Sequence, residues 1–327
     1  MHLLNILPAT LLSLLLLPHS TTSQTSNTFG SATASQTAAR ALVFLLEAPG
    51  NCLHTPADLP PNSPSMNMAA LWIRAAFHDA APFSVNDPAS STVGADGSLL
   101  YEFNRTEENI GLDYSIATRF RNQNNASMSD ADIIALGGLV SVHHCGGPQI
   151  TWRPGRQDGN GRGLRPPNPD NRIPLADDTL PVVRAHFKRM GLDDIDMVVL
   201  TTGSHTMGGV HSAISPRFTN QSFVPFDNTP GVFDNDIFKH VLRNRCALPI
   251  DCLFATDPIL RPHIELWASD QTAFFDQYSK SFEKMLNLTR SRLYPAVDLT
   301  NMIPFHRNLE AEGTEVVFPI EGVTYVG

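Results

Sequence analysis

The chain has 327 residues, with 32 acidic side chains against 23 lysines and arginines and a formal net charge of -9. An acidic balance of that size excludes a nucleic-acid-binding surface, which needs clustered Lys and Arg against phosphates. With 42% hydrophobic residues, the chain has ample material for a core, which excludes a disordered polymer.

The N-terminus carries an apolar run from Leu3 to Leu17 followed by small hydroxyl residues. This is the pattern of a secretory signal peptide, expected over 1–23 with cleavage near Ser20 to Ser23. The run is short for a membrane-spanning helix, and no other stretch is apolar enough to cross a bilayer. Asn104, Asn125, Asn220 and Asn287 each open an Asn-x-Ser/Thr acceptor, as expected of a secreted glycoprotein. Residues 24–37, rich in Ser and Thr, read as a flexible leader, with structure starting near Ala38.

Helical periodicity then appears in "TAARALVFLLEA", in "MNMAALWIRAAFHDA", and in "SDADIIALGGLVSVHHC", which opens on a Ser/Asp cap. Gly137 and Gly138 in the third segment predict close packing against a neighbour. Further on come "LPVVRAHFKRMG" with Gly191 as its stop, "DDIDMVVLTTGSHTMG", "DNDIFKHVLRN" and the long run "LWASDQTAFFDQYSKSFEKMLNLTR". Strand patterns are few and internal repeats absent, so the class is all-α, with helices tied together by ordered loops.

The four cysteines are an even count that leaves three connectivities open. The favoured pairing is Cys246 with Cys252 as a short clasp and Cys52 with Cys145 as a long-range staple. A zinc site is disfavoured because no Cys-x-x-Cys pair occurs.

In "RAAFHDA" (74–80), Arg74 and His78 are four apart and share one helix face, with Phe77 beside them. A neutral imidazole can take a proton and return it, and a guanidinium can stabilise charge on a departing oxygen. For an arbitrary pair at that spacing, an exposed Arg and a satisfied core His are the ordinary outcome.

Several segments together, from about residue 40 to 300, resemble the plant-type haem peroxidase superfamily. The resemblance implies two helical lobes enclosing one haem, with little or no β structure. It divides the chain into a haem domain over 38–310, a distal lobe over about 38–160, a proximal lobe over about 161–300, and a tail over 311–327. Arg-x-x-Phe-His-Asp is the family's distal motif, which makes His78 the proton carrier and Arg74 its partner in O–O cleavage. "ENIGLD" resembles the segment whose Asn orients the distal His, which gives that role to Asn109. "VVLTTGSHTMGG" makes His205 the axial ligand of a b-type haem, and "LWASDQTAFF" makes Asp270 its carboxylate partner.

The resemblance also implies two calcium sites built from hard oxygen donors. The first would use Asp79, Gly94, Asp96 and Ser98; the second Thr206, Asp227, Thr229, Val232 and Asp234. Phe77 and Phe226 stand where intracellular members typically have Trp, which looks most like the secreted fungal branch, although the cysteines are fewer than that branch usually carries. Manganese-oxidising members have carboxylates at the positions of Asn67, Leu71 and His211, and lignin-oxidising members a surface Trp at the position of Leu200. Neither specialised route is expected. Pro181 in "TLPVV" resembles a family proline near the haem edge.

The expectation is thus a secreted monomeric peroxidase that reduces hydrogen peroxide and oxidises small phenolic or aromatic donors. A haem-binding or peroxide-sensing protein with low turnover is the alternative.

Overall fold

The computed structural model describes residues 32–47, 52, 67–89, 91, 93–103, 107–112, 128–159 and 171–304. The signal segment, Asn104, Asn125 and the 311–327 tail lie outside those residues. No helix among the described residues is long and apolar enough to cross a membrane.

The described residues are mostly helical, in agreement with the expected class. The first helix, α1, spans Ala32–Glu47 and so begins inside the 24–37 stretch expected as a leader. Ala39, Leu42 and Val43 are buried in the core, which supplies the energy that holds this serine- and threonine-rich start in a helix. Helix α2, Met68–Ala80, starts at Asn67, whose side chain accepts from the Ala70 backbone N–H. Helix α3, Asp130–His144, starts at Ser129, which accepts from the Asp132 N–H.

Helices α2 and α3 meet at the expected glycines. A Cβ on Gly137 would lie 2.3 Å from Cε3 of the buried Trp72, and one on Gly138 2.7 Å from the Ala76 methyl. The disulfide Cys52–Cys145 joins the segment before α2 to the end of α3, and Cys246–Cys252 closes the short clasp, so both expected pairs form.

On the other side, α4 spans Leu180–Met190 and stops at Gly191 in the left-handed conformation, φ 86°. Helix α5, Asp194–Thr201, opens with a reciprocal cap between Asp193 and Asp196. A two-stranded antiparallel pair, Gly209–Val210 with Val224–Pro225, frames the loop between them. Helices α6 (Asp236–Leu242), α7 (Pro249–Thr256), α8 (Arg261–Ser269) and α9 (Gln271–Leu286) complete this half. Buried Asp196 accepts from Ser281 Oγ at 2.6 Å and from Lys284 Nζ at 2.9 Å, which ties the start of α5 to α9.

The long periodic run is two helices. The chain turns at Asp270, which ends α8 and caps α9 by accepting from the Ala273 N–H at 3.0 Å. Periodicity continues across the break because both helices turn apolar faces to the same core, through Trp267 on one and Phe274 and Tyr278 on the other.

Trp72 is almost fully buried and has nowhere to retreat from an added methyl group at residue 137. Gly137→Ala should therefore lower unfolding stability by about 3 kcal/mol, the upper range for overpacking a tight core, read from denaturant melts.

Candidate active site

A cavity of about 300 Å³ separates α2 from the turn that follows α5, and both sequence-predicted histidines line it. Helix α2 contributes Arg74, Phe77 and His78 to one wall; Ser204, His205 and Phe226 stand on the opposite wall.

On the distal wall, His78 Nδ1 lies 2.8 Å from Oδ1 of Asn109. Asn109 spends its amide N–H on the Glu102 carbonyl, 3.3 Å away, so its Oδ1 accepts and His78 Nδ1 is the protonated nitrogen. Nε2 therefore carries the lone pair, and Arg74 Nε donates to it at 3.3 Å. The turn Glu107–Asn109 and its successor position the guanidinium too: Arg74 Nη2 donates to the Glu108 carbonyl at 2.8 Å and Nη1 to the Ile110 carbonyl at 3.0 Å. Burial and the Arg74 charge push the His78 pKa down to about 3, against the opposing pull of Asn109. The imidazole is a neutral base across the physiological range. Burial also lowers Arg74 to about 10, which still leaves it charged. Phe77 stacks on buried Phe187 of α4, ring centroids 6.0 Å apart, so the ring beside His78 is fixed from outside its own helix.

On the proximal wall, His205 sits in a single 3₁₀ turn, Ser204–Thr206. Its Nδ1 lies 3.0 Å from both carboxylate oxygens of Asp251, which is 1% exposed. Thr202 Oγ1 donates to the same carboxylate at 2.8 Å. Phe226 stacks flat on the imidazole, centroids 4.5 Å apart and planes 13° apart.

Asp270, expected as the carboxylate partner, is instead the exposed cap of α9. His205 Nδ1 is held by Asp251, and the Asp270 carboxylate accepts from its own helix start. Asp251 takes the role because α7 starts with Pro249 and places the acid in its buried first turn, beside the Cys246–Cys252 clasp. The sequence did hold a signal for it: "ALPIDCLF" puts one acid inside an apolar run, where burial demands a partner. Pro181 also departs from expectation. It is exposed in the first turn of α4 and does not line the cavity, whereas Pro174 does.

Two oxygen clusters flank the cavity, each beginning at the residue after a histidine. Asp79 and Asp96 are 2% and 1% exposed; Asp79 accepts from the Gly97 and Leu99 N–H groups, and Ser98 is buried beside them. Gly94 holds φ 123°, and a Cβ there would meet the Leu288 carbonyl at 2.4 Å, so only glycine fits this turn. Burial, then the nearby Asp96 charge, pushes the Asp79 carboxyl well up. In the second cluster Thr206 Oγ1 lies 3.0 Å from Asp227, 3.4 Å from Asp234 and 3.5 Å from the Val232 carbonyl, and Thr229 Oγ1 3.0 Å from Asp234. Burial, then Asp234, raises Asp227 in the same way. Eight of the nine expected residues thus fall into two clusters, each built on two acids plus neutral oxygens, and Gly94 makes the turn beside the first. No group of three or more His, Cys, Asp or Glu suited to a metal occurs among the described residues.

The family model described as Peroxidase matches residues 60–270. L-ascorbate peroxidase 3 of Arabidopsis thaliana is 34% identical over 231 residues, 68% of this chain and 75% of that protein. L-ascorbate peroxidase 1, cytosolic, of Oryza sativa subsp. japonica is 34% identical over 230 residues, 67% of this chain and 85% of that one. Cytochrome c peroxidase, mitochondrial, of Emericella nidulans is 30% identical over 241 residues, covering 66% and 63%. The chain belongs to the peroxidase family and is an oxidoreductase that uses peroxide. These relatives are ascorbate and cytochrome c peroxidases, so the similarity runs to that class and does not single out the secreted fungal branch expected from Phe77 and Phe226.

Family membership implies haem, and the residues fit it. With Nδ1 held by Asp251, His205 offers Nε2 to the cavity, and the walls between the two histidines include Leu71, Ile73, Leu200 and Phe226. When bound, haem supplies the electrons that reduce peroxide and holds the resulting oxidising equivalents. His205 would be its ligand, its ring held in place by Asp251. His78 Nε2 can take the proton of an incoming peroxide and return it to the departing oxygen, while Arg74 stabilises the charge that develops there.

Replacing His78 with Ala in the haem-loaded protein should slow the reaction with peroxide by about a thousandfold in stopped-flow traces, with the cofactor retained. Because protonation of His78 removes the base, the same wild-type rate should be insensitive to this group above pH 5 and fall towards pH 3. Asp251→Asn should lower the rate about tenfold or more, and Asp270→Asn, which keeps a good helix cap, should not change it.

Proposed function

We propose that the protein is a secreted, monomeric haem peroxidase that oxidises small phenolic or aromatic donors in one-electron steps at the mouth of its cavity. The observation that carries this reading is the make-up of that mouth. Pro174, Leu175 and Ala176 line one side and Ile214 and Phe218 the other, with Leu175 37% exposed, so an apolar ring meets an apolar rim.

Manganese is a poor fit as donor. Asn67, Leu71 and His211 all line the cavity, and Asn67 Nδ2 is bound to the Cys52 and Pro230 carbonyls at 3.0 Å each. An amide, an alkyl group and an imidazole do not make a carboxylate site for a hard dication. Leu200 is 3% exposed, so the position of the surface Trp lies inside the fold, and Trp72, Trp152 and Trp267 are core rings. Secretion is supported by the apolar leader and by two closed disulfides with no free cysteine, a pattern that a reducing cytosol does not maintain. Asn220 is exposed and open to a glycan.

Calcium fits both oxygen clusters. Carboxylates held close together with at least one of them buried repel, and a dication with hydroxyl and carbonyl co-ligands removes that cost. A second reading of the donor, ascorbate, follows from the names of the relatives.

A steady-state panel of guaiacol, 4-methylphenol, ascorbate, manganese(II) and veratryl alcohol decides among these donors. Phenols should turn over fastest, and manganese dominance would overturn the reading. Chelation of the purified protein should lower its melting temperature by several degrees, with recovery on adding calcium but not magnesium.

A further inference from the structure

Arg217 is a charged group at the mouth of the cavity that the peroxide chemistry does not use. Arg217 lines the cavity, yet its side chain is 52% exposed. Two contacts hold it. Its guanidinium carbon lies 4.7 Å over the ring of Phe218, and Nη2 lies 3.1 Å from Oδ1 of Asp177, whose side chain is 45% exposed. The ion pair spans the mouth, joining the 171–177 loop to the 211–218 loop.

An exposed pair of this kind is worth about 1 kcal/mol or less, so an incoming carboxylate can displace Asp177 without a large penalty. The guanidinium is a planar fork, the geometry that binds a carboxylate through two N–H groups, and the Phe218 ring beneath it limits its swing. Directly beside it, Phe218, Ile214 and Leu175 offer an apolar wall to a ring attached to that carboxylate. In a chain of net charge -9, a cation at the entrance also counters the repulsion that an anionic donor would otherwise meet.

We infer that Arg217 is a specificity-determining residue, and that the mouth selects aromatic carboxylates, phenols bearing an acidic side arm, over neutral phenols of the same size. This rests on the reading of the mouth as the donor site, and it names the donor class. Asp177 acts as the resting partner of Arg217, competing with the donor for it.

The test uses the haem-loaded full-length protein and a matched pair of donors, 4-hydroxycinnamate and 4-methylphenol. The ratio of their kcat/KM values, carboxylate over neutral, should fall about tenfold in Arg217→Gln and rise about twofold to threefold in Asp177→Asn. Added salt should compress the wild-type ratio. Equilibrium titration of 4-hydroxycinnamate without peroxide should show the same weakening in Arg217→Gln. A ratio unchanged within twofold, together with equal affinities, overturns the inference while leaving phenol oxidation standing. Failure of the wild type to oxidise either donor removes the phenolic reading, and the titration then decides by itself whether Arg217 binds the carboxylate.

Discussion

The site depends on how two imidazoles are held. His78 and His205 are each fixed through Nδ1, leaving Nε2 to act, and the identity of the oxygen at Nδ1 decides what the ring can do. His78 is held by the neutral amide oxygen of Asn109 at 2.8 Å, which sets the tautomer without adding charge. With Arg74 beside it, that ring stays neutral and serves as a base. His205 is held by the carboxylate of Asp251, both oxygens at 3.0 Å, which enriches the ring with electron density and suits it to ligate a metal. Exchanging the two partners would invert both roles: a carboxylate at His78 would favour the protonated ring, which is no base.

Much of the fold serves to hold these two oxygens in place. Asn109 belongs to a short turn pinned by Arg74 itself, so base, guanidinium and orienting amide form one closed set of hydrogen bonds. Asp251 stands in the first turn of α7, clasped by Cys246–Cys252 and bonded to Thr202 at the end of α5. The two oxygen clusters extend the same logic along the backbone, because Asp79 directly follows His78 and Thr206 directly follows His205. The loop after α2 is gathered as well. Arg172 pairs with Asp87, and Arg189 and Arg290 donate to the carbonyls of residues 81 to 87, so the stretch beyond His78 is held from three sides.

The helices and the distal wall were legible because their signals are local. A four-residue spacing places Arg74 and His78 on one face, caps at Asn67 and Ser129 start the helices, and two glycines announce a close crossing. Asp251 was not legible in that way. It meets His205 across 46 residues of chain, and no period or cap ties the two together. Asp270 was the more visible acid because it opens a long amphipathic run, and the same visibility marks a helix cap. The break at that residue was hidden because α8 and α9 present apolar faces to a single core. The misplaced proline has a similar cause: Pro181 sits in an obvious helix start, whereas Pro174 lies in a loop whose shape only the tertiary structure sets.

The site also shows a division of labour. Arg74, His78 and Asp251 stand on helices, and His205 in the turn that continues α5; a shift in any of them would move a proton or a ligand out of reach. The mouth is made by the 171–177 and 211–218 loops, which tolerate substitution without disturbing that geometry. The relatives are named for ascorbate and for cytochrome c at 30–34% identity. In this chain the proposed donor choice rests on Arg217, Phe218 and their neighbours, and peroxide reduction on the helices behind them.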